Sequence, residues 1–102
     1  MSAFVISEVE VLDEEAAANY RELAAASIAA YGGRYLARAA EAVVVEGGPT
    51  HRRIVIVEFD SMEQIRNWYA SPEYAEALRF RGAALARRLM FVNGISQPLE
   101  AP

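Results

Sequence analysis

The chain contains no cysteine, which excludes disulfide bonds and thiolate metal sites. It contains no lysine either, so chemistry through a lysine Schiff base is excluded. Its single histidine, His51, is expected in a solvated loop, because its neighbours "GGPTHRR" are typical of an exposed hairpin tip. One histidine also cannot build a multi-histidine metal site. No phosphate-loop or nucleophile-elbow motif is present. The sequence therefore predicts no metal and no cofactor, although flavin or haem held without a motif stays open.

Long hydrophobic runs and an excess of positive charge are also missing. No run approaches the ~20 apolar residues that cross a bilayer, and no basic residue precedes Arg21, which argues against a signal peptide. The net charge of −4 argues against nucleic-acid binding, which needs a dense basic face. A cytoplasmic protein with neither a membrane nor a nucleic-acid partner is expected.

The positive side chains are all arginines. Their planar fork of donors suits anion recognition. They are scattered along the sequence, however, and a compositional bias that also enriches alanine is the favoured interpretation. Composition alone therefore does not predict an anion-binding face.

Hydrophobic periodicity predicts secondary structure along the whole chain. Alternating apolar and polar residues indicate strands, and apolar residues at helical spacing indicate helices. Asp13 is predicted to cap one helix, and Ser61, with Gln64 three residues later, to cap another. The predicted elements are a strand over 3–12, a helix over 14–31, strands over 34–46 and 52–60, a helix after Ser61, and a strand over 88–95.

The last helical region is predicted to bend at "WYASPEY", residues 68–74. Ser71 precedes a proline, which disfavours helical geometry at Ser71. Pro72 suits the first position of a new helix capped by Ser71. The three aromatic rings of the stretch are expected to pack the corner onto the sheet, with a tyrosine hydroxyl that donates into a pocket as the alternative. The inward stripe of the new helix is predicted to be Ala77, Leu78, Arg81 and Leu85.

The element order β-α-β-β-α-β indicates an α+β, ferredoxin-like domain with a four-stranded antiparallel sheet. A chain of 102 residues fits one such domain. The domain is predicted to cover residues 1–96, followed by a C-terminal tail over 97–102 that contains Pro98 and Pro102.

Two helices can cover only one face of such a sheet. Alternation predicts that the covered face carries Val5, Val9, Val11, Val55, Val57 and Phe59. The opposite face is predicted to carry Phe4, Ile6, Glu8, Glu10, Ile54, Ile56 and Glu58, with Arg34, Leu36 and Arg38 from the second strand. An exposed apolar patch of this size normally marks an interface, so a homodimer with its sheets packed face to face is predicted.

The uncovered face also carries charges, which are tolerated in a buried interface only when they are paired or used. Glu8 and Glu58 are expected near the middle of the sheet, with Arg34 and Arg38 on the neighbouring strand. An Arg–Glu pair that fixes the register of the dimer is the favoured interpretation. The alternative is a small polar cavity in which Glu58 is a base and Arg34 anchors an anion.

The stretches "YGGRYLARAA", "EGG", "IVIVEFDSMEQIRNWYASPEY" and "VNG", together with Arg81, resemble the domain-of-unknown-function 1330 family. The resemblance covers nearly the whole chain and implies a dimeric α/β barrel of ferredoxin-like subunits. It implies no particular reaction, because the family has no established activity. The family's recurrent polar and aromatic residues fall here on Gly33, Arg34, Arg38, Glu46, Glu58, Trp68, Tyr69, Ser71, Tyr74 and Arg81.

Among these positions, the residues predicted to bind a ligand are Arg34, Arg38, Trp68 and Arg81. The candidate catalytic residues are Glu58, Tyr69 and Tyr74. Two departures from the family pattern stand out. Ala39 and Ala40 replace a usual pair of glycines, so any special backbone angle there is expected to be altered. Tyr31 stands where histidine is common, which excludes a histidine-dependent mechanism at that position.

Two functions are consistent with these features. In the first, a cleft between sheet and helices binds or transforms a small organic anion. The dimeric α/β-barrel superfamily that the resemblance implies includes cofactor-free monooxygenases and small-ring isomerases, which suggest such a role by analogy only. Whether the protein is an enzyme stays undecided. In the second, the protein is a non-catalytic dimeric module. The module predicts no cavity beyond a few waters and mutual pairing of Glu8, Glu58, Arg34 and Arg38.

Overall fold

The computed structural model describes residues 2–95 and contains four strands and three helices. The strands are β1 (Ala3–Val11), β2 (Arg34–Glu41), β3 (Arg53–Phe59) and β4 (Leu85–Asn93), and the helices are α1 (Glu14–Ala30), α2 (Met62–Tyr69) and α3 (Pro72–Ala84). The predicted tail over 97–102 lies outside the described residues.

The four strands form one antiparallel sheet in the order β2-β3-β1-β4. This arrangement confirms the predicted ferredoxin-like topology. The helix-facing side of the sheet, called the inner face below, buries Val5, Val57 and Phe59 against Ile65 and other residues of the core. The other side, the outer face, is covered by no helix within residues 2–95.

The helix boundaries follow the predicted capping residues. Asp13 accepts a hydrogen bond from the backbone N–H of Ala16, and Ser61 accepts one from that of Gln64. Ser71 is extended, with φ −76° and ψ 153°, and caps α3, whose first residue is Pro72. The predicted break in the helix at Ser71 is therefore confirmed, and it separates α2 from α3.

Gly33 joins α1 to β2 where the chain passes close to the core. A Cβ atom at Gly33 would lie 2.7 Å from Cζ of Phe59 and 2.8 Å from Cγ2 of Ile28. Such distances are far shorter than a van der Waals contact, so only glycine fits here without displacing the core.

Two predicted boundaries are wrong. Strand β2 ends at Glu41, and residues 42–52 form an exposed loop with Val43 and Val45 almost fully exposed. Strand β4 begins at Leu85, whereas the sequence pattern predicted Leu85 in the last helix and the strand from residue 88 onward. Helix α3 passes into β4 without a loop, and Leu85 packs into the core as the first residue of the strand.

The predicted placement of Arg34 and Arg38 on one face is also wrong. Arg34 lies opposite Glu58, but the register of β2 against β3 shifts between Tyr35 and Ala37 and again before Ala40. Each extra residue reverses the faces that follow, because side chains alternate along a strand. The first shift carries Arg38 to the inner face.

The second shift in β2 contains Ala39, which has a positive φ of 54°. A residue with a Cβ atom has a conformational energy roughly 1–2 kcal/mol higher in this left-handed region, a cost that glycine avoids. The expectation that alanine alters the backbone angle here is therefore not met: the unusual angle is present, and alanine adopts it.

Candidate functional site

A cavity of about 100 Å³ lies between the inner face of the sheet and α1. Its volume is several times the ~10–15 Å³ that one water requires. It therefore exceeds the few-water limit predicted for the non-catalytic module. The lining residues are Val5, Ser7, Val9, Val11, Tyr20, Arg21, Ala24, Ile28, Tyr35, Arg38, Ala39, Arg53, Val55, Val57, Trp68, Leu85, Arg87 and Leu89.

The inner part of the cavity is apolar and rigid. Val5, Val57 and Ile28 are buried in the core, and the ring of Trp68 completes the wall. Trp68 is held by its Nε1–H, which donates to Oγ of Ser27 at 3.0 Å, and by ring packing 4.3 Å from the centroid of Tyr74. An apolar wall with fixed side chains is typical of ligand pockets.

Every charged residue that lines the cavity is an arginine. Arg21 comes from α1, Arg38 from β2, Arg53 from β3 and Arg87 from β4. Arg53 and Arg87 lie on either side of Val9 in the strand register. No aspartate or glutamate belongs to the lining. The charged residues of the lining are thus all positive, although the chain as a whole has a net charge of −4. Arg21, Arg38 and Arg53 are exposed to solvent, and Arg87 is half-buried.

The carboxylates around these arginines neutralise them weakly. Arg21 approaches Glu14 at 3.9 Å, at the limit of an ion pair, and both side chains are exposed. Such a pair contributes little. Glu41 lies opposite Arg53 in the sheet register, yet no ion pair joins them. Within residues 2–95, Arg38, Arg53 and Arg87 have no carboxylate within ion-pair distance.

Arg87 is the most buried of the four and is held by two tyrosines. Its Nη1 donates to the hydroxyl of Tyr20 at 2.7 Å, and its Nη2 donates to that of Tyr74 at 2.7 Å. The two hydroxyls are also hydrogen-bonded to each other, at 2.5 Å. Burial raises the pKa of Tyr20 well above its ordinary value, so its hydroxyl is neutral at physiological pH.

Ser7 provides the remaining polar group in the wall. It is buried, and its Oγ has no hydrogen-bond partner within residues 2–95. An unpaired buried hydroxyl costs about 1–3 kcal/mol, so such groups are uncommon in folded proteins. A ligand or water in the cavity would satisfy it.

Two of the predicted ligand-binding residues, Arg38 and Trp68, line this cavity. The guanidinium of Arg38 lies 4.4 Å from the ring centroid of Tyr35, a cation–π distance that positions it at the cavity. Arg81, predicted with them, does not belong to the lining, and its Nε is buried without a partner in the described part of the chain.

Arg34 and Glu58 lie outside the cavity, on the outer face. Nη2 of Arg34 is 3.0 Å from Oε1 of Glu58, and Oγ of Ser2 donates to Oε2 of Glu58 at 2.6 Å. The Ser2 hydrogen bond lowers the pKa of Glu58, with a further contribution from Arg34. A carboxylate with a lowered pKa is a poor base, so this geometry favours the ion-pair interpretation of Glu58.

Tyr69 and Tyr74, the other candidate catalytic residues, differ in their surroundings. Tyr69 is half-exposed and packs edge-on against Phe91 with ring centroids 5.6 Å apart. Tyr74 is fully buried and adjoins the cavity through its contacts with Tyr20, Arg87 and Trp68. Neither residue lines the cavity.

The sequence interpretation missed six polar residues of the cavity, which are Ser7, Tyr20, Arg21, Tyr35, Arg53 and Arg87. Arg87 was missed because the final strand was predicted to begin at residue 88. Alternation was the available signal, since Leu85, Arg87, Leu89 and Phe91 occur at every second position. Tyr20 was missed because it lies on the buried side of α1 with Ala24 and Ile28, where an aromatic residue indicates packing.

Other kinds of site find no support in the described part of the chain. Residues 2–95 contain no group of three or more histidine, cysteine, aspartate or glutamate side chains placed to hold a metal ion. No helix among them is long and apolar enough to cross a membrane.

Structural comparison gives neighbours of the same fold. RPA0582, a protein of unknown function from Rhodopseudomonas palustris, has 19% identity and a TM-score of 0.76, covering 94% of this chain and 84% of its own. Its methylated form gives 20% identity, a TM-score of 0.75, and coverages of 93% and 82%. A dimeric, ferredoxin-like protein of unknown function from Bacteroides fragilis has 15% identity, a TM-score of 0.62, and coverages of 91% and 96%.

At these identities the neighbours show the fold alone. No curated protein is significantly similar to the chain in sequence. Residues 2–95 match the family described as "Domain of unknown function (DUF1330)", which is almost the whole chain. The protein with this arginine-lined cavity is therefore a member of the DUF1330 family with a ferredoxin-like fold.

Proposed function

We propose that the protein is a homodimer that binds a small organic anion in the cavity between sheet and α1. The observation that carries the proposal is the lining itself: four arginines and no carboxylate around a largely apolar pocket. Like charges gathered in one cavity repel one another, and a bound anion removes that repulsion.

The apolar wall indicates that the anion has a hydrocarbon part. The side chains of Val5 and Val57 cannot form a hydrogen bond to an inorganic ion in the cavity. The Nε1–H of Trp68 is already donated to Oγ of Ser27. The volume of about 100 Å³ is somewhat below the ~150 Å³ of an apolar cavity that admits benzene. A short aliphatic carboxylate therefore matches both the size and the polarity of the site, and a single-ring carboxylate fits only with part of its ring outside the cavity.

The alternative function, a dimeric module whose charges only fix assembly, accounts for less of the geometry. It predicts that Glu8, Glu58, Arg34 and Arg38 pair with one another. Among the described residues only Arg34 and Glu58 do so, while Arg38 lines the cavity on the other face. The pairing interpretation fits the outer face and leaves the inner arginines unexplained.

The dimer part of the proposal rests on the outer face. Its central row crosses the sheet through Ala37, Ile56, Ile6 and Met90, and no helix within residues 2–95 covers it. Apolar faces of this kind mark protein interfaces. The B. fragilis neighbour is described as dimeric. We expect sedimentation to give a particle of twice the 11.2 kDa monomer mass, and a monomer at micromolar concentration would contradict this part.

Binding is tested by thermal shift with acetate, butyrate, benzoate and 4-hydroxybenzoate at constant ionic strength, with benzamide as the neutral counterpart of benzoate. A ligand at 100 times its dissociation constant adds ~2.7 kcal/mol to the free energy of unfolding, which is readily measured. We expect carboxylates to stabilise the protein and benzamide to have little effect. A flat response to the whole series would contradict the proposal.

Two substitutions that each remove one arginine charge test whether carboxylates bind in the cavity or elsewhere on the surface. Arg38→Gln removes one positive charge from the cavity, and Arg79→Gln removes one from the exposed surface of α3, where Arg79 pairs with Glu76. We expect the first variant to lose at least about tenfold in carboxylate affinity, as for a charged hydrogen bond, and the second to stay near wild type. Equal losses would indicate a general charge effect instead of a site.

A further inference from the structure

Tyr20, Tyr74 and Arg87 form a closed hydrogen-bonded cluster at one end of the cavity. Arg87 donates to both hydroxyls at 2.7 Å, and the hydroxyls are 2.5 Å from each other. Tyr20 and Arg87 line the cavity, whereas Tyr74 does not. Tyr74 is fully buried, and Tyr20 is buried except for a small part of its surface.

The direction of the bond between the two hydroxyls follows from a count of protons. An arginine side chain only donates, so it cannot accept the proton of either tyrosine. The oxygen of Tyr20 is the sole acceptor for the Tyr74 proton within residues 2–95. If Tyr20 donated instead, the proton of a fully buried hydroxyl would have no partner, which is costly. Tyr74 therefore donates to Tyr20.

This direction leaves one proton unassigned. The oxygen of Tyr20 accepts from Tyr74 and from Arg87, which fills its two lone pairs. The proton of Tyr20 has no acceptor within the cluster, and Tyr20 lines the cavity. Donation from two sides also polarises this O–H bond, because chains of hydrogen bonds reinforce one another.

We infer that the Tyr20 hydroxyl donates its proton into the cavity and, together with the free N–H groups of Arg87, binds an anionic oxygen of the ligand. The inference rests on the proposed function and adds to it the groups that bind the charge and the role of Tyr74. Tyr74 orients the Tyr20 proton without contacting the ligand. A carboxylate, or the oxygen of an enolate, matches one neutral and one charged donor held side by side.

The proton order is tested without a ligand, by comparing the melting temperatures of Tyr20→Phe and Tyr74→Phe. Tyr20→Phe leaves the hydroxyl proton of buried Tyr74 without an acceptor. Tyr74→Phe leaves Tyr20 hydrogen-bonded to Arg87 and able to donate to water in the cavity. We expect the melting temperature of Tyr20→Phe to be lower than that of Tyr74→Phe by about 4–8 °C, the shift typical of one lost buried bond in a domain of this size. Equal melting temperatures, or the opposite order, would overturn the inference.

The role of the donor is tested by calorimetric titration with the carboxylate that stabilises the wild type most in the thermal-shift series. We expect Tyr20→Phe to lose at least about tenfold in affinity and Tyr74→Phe less than about threefold. The ratio of the butyrate and acetate affinities is a control, since a collapsed cavity weakens the longer acid more, while a lost donor to the carboxylate weakens both by the same factor. A larger loss in Tyr74→Phe, or no loss in Tyr20→Phe, would contradict the assignment.

The two proposals fail in different ways. If no carboxylate of the series binds the wild type, the proposed function is wrong, and so is the ligand part of the inference, while the melting comparison still decides the proton order. If carboxylates bind and both phenylalanine variants keep wild-type affinity, the proposed function stands, and Tyr20 is not the donor.

Discussion

The inner and outer faces of the sheet use arginine in opposite ways. On the outer face, Arg34 lies 3.0 Å from Glu58, on a surface that also carries Glu8 opposite Arg88 in the sheet register. On the inner face, four arginines line one cavity and no carboxylate joins them. An arginine paired with a carboxylate is already neutralised, whereas a group of unpaired arginines favours an anionic partner. The proposed binding site and the outer surface therefore differ in the pairing of their arginines.

The largest expected effect concerns the outer face. Ile56→Asp introduces a charge in the central row of the proposed interface, where an unpaired buried charge costs about 3–5 kcal/mol. We expect the dimer dissociation constant to rise at least about 100-fold. Sedimentation over a concentration series measures it. Val45→Asp, in the exposed loop, is the matched control and should leave assembly unchanged. An Ile56→Asp protein that remains dimeric would place the interface elsewhere.

A second comparison removes one arginine from each face. Arg87→Met is expected to lower carboxylate affinity about 10- to 100-fold, because a hydrogen bond to a charged group contributes about 1.5–3 kcal/mol. Arg34→Met is expected to leave that affinity within about twofold, since Arg34 does not line the cavity. Titration calorimetry measures both. A comparable loss in the Arg34 variant would remove the distinction between the faces.

The third prediction concerns Ala39, in the irregular part of β2 where the side chains change from one face of the sheet to the other. Ala39 has a φ of 54°, and glycine adopts this angle without the steric cost. After the entropy lost by glycine is subtracted, Ala39→Gly should increase the free energy of unfolding by about 0.5–1 kcal/mol. Chemical denaturation measures this change. A destabilised variant would show that the Cβ of Ala39 contributes packing that exceeds the strain.

The smallest expected effect is the pH dependence of the outer ion pair. The pKa of Glu58 is below its ordinary value of 4.5 because of Ser2 and Arg34. A lowered pKa in the folded state stabilises the protein above the unfolded pKa, and this stabilisation is lost as the pH falls through the folded pKa. Wild type should therefore exceed Glu58→Gln in melting temperature near neutral pH, and the difference should shrink with acidification below about pH 4.5. A difference that grows on acidification would contradict the sign.

Much of the fold was accessible from the sequence because local signals there agree with the tertiary structure. The caps at Asp13, Ser61 and Ser71 and the alternation in β1 and β3 led to the correct element order. The end of α3 had no such signal, since neither glycine nor proline separates Ala84 from Leu85. Helical spacing therefore extended the predicted helix into β4.

The cavity was less accessible because it depends on contacts between distant parts of the chain. Its arginines are scattered in the sequence, at positions 21, 38, 53 and 87. The sheet register and the packing of α1 on the sheet bring them together. The inner position of Arg38 depends on the register shift after Tyr35, which no residue pattern in "RYLARAA" indicates. Without that shift the strict alternation of a strand would place Arg38 on the outer face, as predicted.

The register shift in β2 also bears on how such a protein changes over evolutionary time. Deleting Leu36, between Tyr35 and Ala37, would remove the first of the two register shifts and turn the guanidinium of Arg38 to the opposite side of the sheet. The proposed ligand would lose one cationic contact, and the proposed dimer interface would gain an unmatched charge, without any other amino acid being replaced. Insertions and deletions in this strand are therefore a more direct route to altered specificity than point mutations in the pocket wall.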